Sequence, residues 1–399
     1  MAVLGMWMWP GSVEQCGAAQ TVSRCARAGV TDVFFLAKGM AGTTAFHGSV
    51  APTFSERDLL RELTDEAHRQ GIRVHAWFTS ACDAHYKQLH PQSGRFHYLR
   101  GRDRELISLT DEGYLTYMEE IVRQVYRTYD VDGLHLDYIR YNHLMYGWAP
   151  EDLGRYKACG ADISCLKELL EATFVKEKRQ ESAIFDAFRA EDESVLALAR
   201  ARRGDVVRFA QRLISAAQAE KSGLILSAAL MPEGAYDDPA FADLHYGQNY
   251  EDAAQLYHWA LPMAYSQAYG QDAPWVRQVA EGCAGRGLKT IIGLQAYEGG
   301  TGLTLQKDLQ AVKDAPVEGV CLFREGAHLQ AFAENGKLQL HNPTQETVTS
   351  IQISARQERC NLPIRLETDE TRDIALPFEP ETVQAFSGES EHCVYLIKH

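Results

Sequence analysis

What most constrains this chain is a repeat: eight short apolar runs set between amphipathic segments over about the first 330 residues. The runs are "LGMWMWP" from Leu4, "DVFFLAK" from Asp32, "RVHAWFT" from Arg73, "GLHLDYIRY" from Gly133, "LILSAALMP" from Leu224, "ALPMAY" from Ala260, "TIIGLQAY" from Thr290 and "GVCLFREG" from Gly319. Continuous apolar runs suit strands covered on both faces of a parallel sheet. The segments between them carry helix signals. "SERDLLRELTDEAHRQG" offers Ser55 as an N-cap, apolar residues at helical spacing and a closing Gly71. Eight strands alternating with helices predict a (β/α)8 barrel. A doubly wound open sheet is the alternative, but no GxGxxG follows an early strand.

The repeat is uneven in two places. About 35 residues follow the third run before the next helix, and residues 142–203 follow the fourth. Both insertions leave strand C-terminal ends, where barrels place their active sites, and loops this long are usually functional. The second is rich in helix formers and is expected to form a wall or lid over the cleft. From about Lys337 the pattern changes to alternating apolar and polar residues with Pro, Asn and Gly between runs. This predicts a barrel over residues 1–335 and a small antiparallel β domain over 336–399, packing on the barrel as an accessory.

A formal net charge of −14 argues against nucleic acid and anionic membranes as partners, since phosphate binding needs a basic surface. No apolar run reaches the roughly 18 residues of a membrane helix. The expected location is cytoplasmic, with a secreted mature form as the alternative. Nine scattered cysteines lack metal-type spacing and read as thiols, although Cys159 and Cys165 are near enough in sequence to pair. Nothing fixes the oligomeric state.

The fourth run places His135, Asp137 and Arg140 among apolar residues. Barrel strands point alternate residues inward. Gly133, His135 and Asp137 share the inward parity, and Asp137 falls at the C-terminal rim. Asp132 sits at the opposite end. A buried charge costs several kcal/mol unless paired, so Asp137 is either in a structural pair with Arg140 or a functional group. His75 and His135 read as core histidines.

"RTYDVDGLHLDYIRY" resembles the fourth-strand signature of the TIM-barrel family called glycosyl-hydrolase-like ten, and "LGMWMWP" and "YGQNYEDAAQLYHWALPMAY" extend the resemblance across most of residues 1–330. The family pattern usually has Pro after "DYIRY", where this chain has Asn142 and the long insertion. The resemblance implies a carbohydrate-active barrel with Asp137 as a catalytic candidate. A more distant similarity to the α-amylase superfamily also places an Asp at the end of strand four, but His135 stands where that pattern has Arg.

Glycoside hydrolysis needs a second carboxyl. Glu233, Glu298 and Glu325 follow strands five, seven and eight. Neighbouring strands lie about 4.8 Å apart, which brings Glu233 within range of the roughly 5–5.5 Å of a retaining pair. Asp137 is therefore expected as nucleophile and Glu233 as acid/base, with Glu298 the second choice for the acid. Glu325 joins the substrate-binding set. Trp9 and Trp77 are expected to stack on sugar faces, and Lys38, Asp83, His85, Tyr138, Arg140, Tyr141, Tyr265 and Gln295 to bond hydroxyls. Trp7 reads more as core. No cofactor or metal is expected: "MWMWP" lacks the ligands that metal-dependent barrel hydrolases carry on strand one. A catalytically inactive sugar-binding barrel is the other alternative.

Overall fold

The computed structural model describes residues 3–176, 182–297, 300–356 and 358–398. Eight parallel strands form the barrel: β1 (Val3–Met8), β2 (Asp32–Lys38), β3 (Arg73–Thr79), β4 (Gly133–Asp137), β5 (Ile225–Leu230), β6 (Trp259–Pro262), β7 (Ile291–Gln295) and β8 (Gly319–Phe323). They pair in the order β6-β5-β4-β3-β2-β1-β8-β7. Two isolated bridges, Ala260 with Thr290 and Met263 with Gly293, join β6 to β7 and bring the ends together. The predicted barrel is thus the observed one.

Alternation sorts the side chains into two cores. Outward residues such as Val33, Phe35, Leu134 and Leu136 meet the helices. Inward residues such as Trp7, Phe34, Trp77, Leu261 and Cys321 fill the barrel. His75 and His135 belong to that filling and are fully buried. The indole N–H of Trp7 donates to His135 Nε2 at 3.0 Å, which puts the imidazole proton on Nδ1, facing Ser227 Oγ at 2.9 Å. His75 stacks on Phe34 with ring centroids 4.6 Å apart. Gly133 makes room for it, because a Cβ there would lie 2.2 Å from His75 Nδ1.

The helix after β2 runs Leu59–Arg69, and its N-cap is Asp58 rather than Ser55, accepting from the Arg61 N–H at 3.3 Å. Ser55 lies one turn too early to reach those N–H groups. The insertion after β3 forms a short helix, Ala84–Leu89, and a two-stranded ribbon, Gly94–His97 with Gly101–Ile107. The insertion after β4 carries helices Pro150–Ala158, Ile163–Phe174 and Ala183–Arg189, and a last helix, Glu193–Glu220, begins in the insertion and continues as the barrel helix. It has its own core of Leu144, Trp148, Tyr156, Leu166, Leu170 and Leu198. The two insertions pack on each other: Gly147 N–H donates to Phe96 O at 2.8 Å, and Tyr98 O–H to Glu171 at 2.6 Å.

The C-terminal unit is two four-stranded sheets around Leu329, Leu338, Leu340, Ile351, Ile353, Val383 and Val394. The strand Leu329–Glu334 already belongs to it, pairing antiparallel with Lys337–His341 and parallel with Val394–Lys398. The sheet pattern therefore starts before residue 336, and one of its pairings is parallel.

Candidate active site

Asp137 ends β4 on the inward face and is 5% exposed. Three donors hold it. Trp77 Nε1–H reaches Oδ2 at 3.2 Å; the Tyr138 N–H and Arg140 Nη1 reach Oδ1 at 2.6 and 3.3 Å. Tyr138 adopts φ +54°, a left-handed conformation unusual for a side chain of this size. That turn lets its N–H fold back onto the preceding carboxylate, and Arg140 stacks over its ring at 4.4 Å. Burial raises the Asp137 carboxyl above its usual range, against the pull of Arg140, the Tyr138 N–H and Trp77. Behind the turn, buried Arg95 donates to the Arg140 carbonyl at 2.8 Å and to Asn142 at 2.7 Å, stitching the ribbon to this loop.

A cavity of about 860 Å³ opens over Asp137. Trp7, Trp77, Tyr265, Met263 and Phe323 build its apolar floor; Tyr138 and Arg140 flank the carboxylate. Its walls come from Trp9 to Cys16 after β1, from Gly39 to Phe54 after β2, from Arg324 after β8, and from Pro343 and Gln345 of the C-terminal unit. Among the described lining residues Asp137 is the one carboxylate. Burial, followed by the negative charge of Asp137, raises the Tyr265 hydroxyl well above its usual range.

Glu233 sits in the turn Pro232–Ala235 just past β5 and is 8% exposed. Its Oε1 accepts from the Tyr246 hydroxyl at 3.2 Å, and its Oε2 has no hydrogen-bond partner among the described residues. Burial raises this carboxyl too, while Tyr246, Arg140 and Tyr269 pull it down. Arg140 therefore acts electrostatically on both carboxyls. Glu233 is not among the described residues that line the cavity. Glu298 lies outside the described residues.

Of the remaining expected ligands, Trp9, Trp77, Tyr138, Arg140 and Tyr265 line the cavity. The others have partners elsewhere. Lys38 is fully buried, paired with Asp83 at 3.0 Å and bonded to Tyr114 at 3.2 Å. Asp83 also caps Ala84–Leu89 through the Tyr86 N–H at 2.7 Å, and His85 lies beside it on that helix. Tyr141 donates to Asp205 at 2.7 Å. Gln295 accepts from the Ala268 N–H at 3.0 Å. Glu325 pairs with Arg24 at 2.7 Å. None of these six is among the described lining residues, nor is any residue of the two long insertions. The described residues of the insertion after β4 thus contribute no lining to this cavity. The insertion had an apolar face of its own to bury and did so within itself and against the ribbon. Sequence reading passed over Arg24, Phe54 and Arg324. Arg324 carried a signal, a cation at the end of a barrel strand, but its neighbour Glu325 drew the attention.

Among the described residues no group of His, Cys, Asp and Glu has the arrangement to hold a metal ion. All nine cysteines are free thiols, Cys159 and Cys165 included. No described helix is long and apolar enough to cross a membrane.

The barrel is similar to solved glycosidases. It matches the PgaB (BpsB) glycoside hydrolase domain from Bordetella bronchiseptica at 14% identity and TM-score 0.63, over 81% of this chain and 94% of that one. It matches a β-galactosidase from Marinomonas ef1 at 15% and 0.58, over 81% of this chain and 54% of that one. The catalytic domain of a β-amylase from Paenibacillus polymyxa matches at 9% and 0.57, over 81% and 92%. At such identities the likeness is one of fold. No curated protein sequence matches the chain. The model of the family described as Glycosyl hydrolase-like 10 matches residues 50–280, more than half of the chain and the whole of β3 to β6, including Asp137 and Glu233. The chain is a member of the glycosyl hydrolase-like 10 family.

Proposed function

We propose that the protein is a glycoside hydrolase acting on an oligo- or polysaccharide in the cavity above Asp137, by retention, with Asp137 as nucleophile and Glu233 as acid/base. The observation that carries this reading is Asp137 itself: one carboxylate, held by three donors, at the floor of an aromatic cavity. Burial raises both carboxyls, but they differ in their partners. Donors aimed at both Asp137 oxygens favour its ionised form. Glu233 has one hydroxyl partner, a bare Oε2 and a raised pKa, as suits a proton donor. Tyr265 lines the same cavity, and Trp77 both orients the nucleophile and offers ring surface to a sugar.

The absence of Glu233 from the described cavity lining favours one second reading, a barrel that binds sugar without cleaving it. A panel of aryl glycosides and oligosaccharides decides between them. Hydrolysis that is lost in Asp137→Asn and in Glu233→Gln, and restored in the first by azide as an anomeric azide adduct, supports the pair. Unchanged turnover in Asp137→Asn sinks it. Product NMR showing inverted anomeric configuration removes the nucleophile role from Asp137. Binding without turnover in the unaltered protein establishes the second reading.

A further inference from the structure

The cavity is lined by three arginines and one aspartate, in a chain whose formal charge is −14. Two of the arginines are matched. Arg140 pairs with Asp137 at 3.3 Å, and Arg24 with Glu325 at 2.7 Å and Asp369 at 3.1 Å. The Arg324 side chain has no carboxylate partner among the described residues; its one hydrogen bond there is a long one, 3.4 Å, from Nη1 to the Glu325 carbonyl. Its guanidinium lies over the Trp9 ring, with Cζ 3.6 Å from the ring centroid. That contact has two consequences. It covers one face of the Trp9 ring, so Trp9 supports Arg324. It also anchors the guanidinium, whose N–H groups, apart from the long bond from Nη1, have no partner among the described residues; such a fork can grip a carboxylate through two parallel bonds. Burial works against the charge of Arg324, and the nearby Glu325 offsets this only in part. An anion in the cavity would complete the balance. Ser12, Gln15 and Gln345 on the same wall supply neutral partners for ring hydroxyls.

We propose that Arg324, backed by Trp9, is the subsite for the carboxylate of an acidic sugar, and that the substrate is a glycoside of a hexuronic acid. This rests on the glycosidase reading above. The test compares kcat/KM of the full chain on 4-nitrophenyl hexuronides and the corresponding hexosides, in gluco and galacto configuration. Calorimetric titration with uronic and neutral oligosaccharides runs alongside. The unaltered protein should favour the uronide roughly tenfold or more, and less so at high salt. Arg324→Gln should collapse the uronide-to-hexoside ratio roughly 10- to 100-fold, the range for a charge-assisted pair. Arg324→Lys should restore part of it, because the charge remains without the fork. Equal use of both sugars by the unaltered protein overturns the proposal. So does an unchanged ratio in an Arg324→Gln variant that melts as a folded protein. The two readings fail differently. Turnover without a uronide preference removes the subsite and keeps the hydrolase. Tighter, Arg324-dependent binding of uronic oligosaccharides with no turnover of any glycoside removes the hydrolase and keeps the subsite.

Discussion

Asp32 and Asp137 are buried carboxylates at opposite ends of the same barrel, each held by several donors, and burial leaves them in opposite states. Asp32 opens β2 at the N-terminal end. It accepts two bonds from Arg73 at 2.8 and 2.9 Å, and contacts His75 at 2.8 Å and Thr31 at 2.7 Å. Burial alone would raise its pKa, but His75 and Arg73 outweigh it and bring the group down to about 2. Asp137 has one arginine contact, at 3.3 Å and not bidentate, and burial wins. The lower end spends its charge on pairing. The upper end leaves a carboxylate under-compensated beside an open cavity, a pattern typical of functional groups.

Substitutions can break this contrast. Asp137→Asn is expected to lower kcat by roughly 10³-fold or more, the scale of losing a nucleophile, while its melting temperature at pH 7 holds or rises. The sign comes from the raised pKa: ionising such a group costs stability as pH climbs from its unfolded value through its folded one. The neutral amide escapes that cost, and its advantage over the unaltered protein should vanish in acid. A large loss of stability in Asp137→Asn would make it a structural pair with Arg140 instead.

Asp32→Ala should cost about 3–5 kcal/mol in urea denaturation, because it strands buried partners, and the protein that remains folded should keep its specific activity. The depressed pKa of Asp32 gives a third expectation. Its stabilisation, about 2 kcal/mol, is fully present above the unfolded carboxylate value near 4 and is lost as pH falls through about 2. A pH series of denaturation curves should show that loss, and Asp32→Ala should flatten it. The smallest effect expected is from Trp77→Phe, which removes one donor from Asp137. Activity should fall roughly tenfold, with the acid limb of the kcat/KM profile moving to higher pH. An unmoved limb would mean that Trp77 serves packing alone.

How much of this was legible in the sequence depended on distance along the chain. The strands were, because each is a local run with its own boundaries. Asp137 was, because parity holds to the last residue of β4. Parity fails for Glu233: β5 stops at Leu230, and the 3₁₀ turn at Pro232 re-aims the side chains beyond it. Lys38 and Asp83 were read as two separate ligands because nothing local shows that residues 45 apart will pair. Arg324 over Trp9 is the same problem at greater separation. The packing of the β4 insertion was hidden for another reason. Length marks where chain was added, whereas the added apolar residues decide where it packs, and these closed on themselves.

The cavity crosses the edge of the family match. Asp137 and Glu233 lie within residues 50–280, whereas Trp9, Arg324, Pro343 and Gln345 lie outside. The two proposed catalytic carboxyls therefore lie inside the matched stretch, while part of the cavity wall, including the proposed carboxylate subsite, lies beyond it. On the proposed reading, changes in the terminal stretches alone could alter which sugar the cavity accepts and leave the two carboxyls in place.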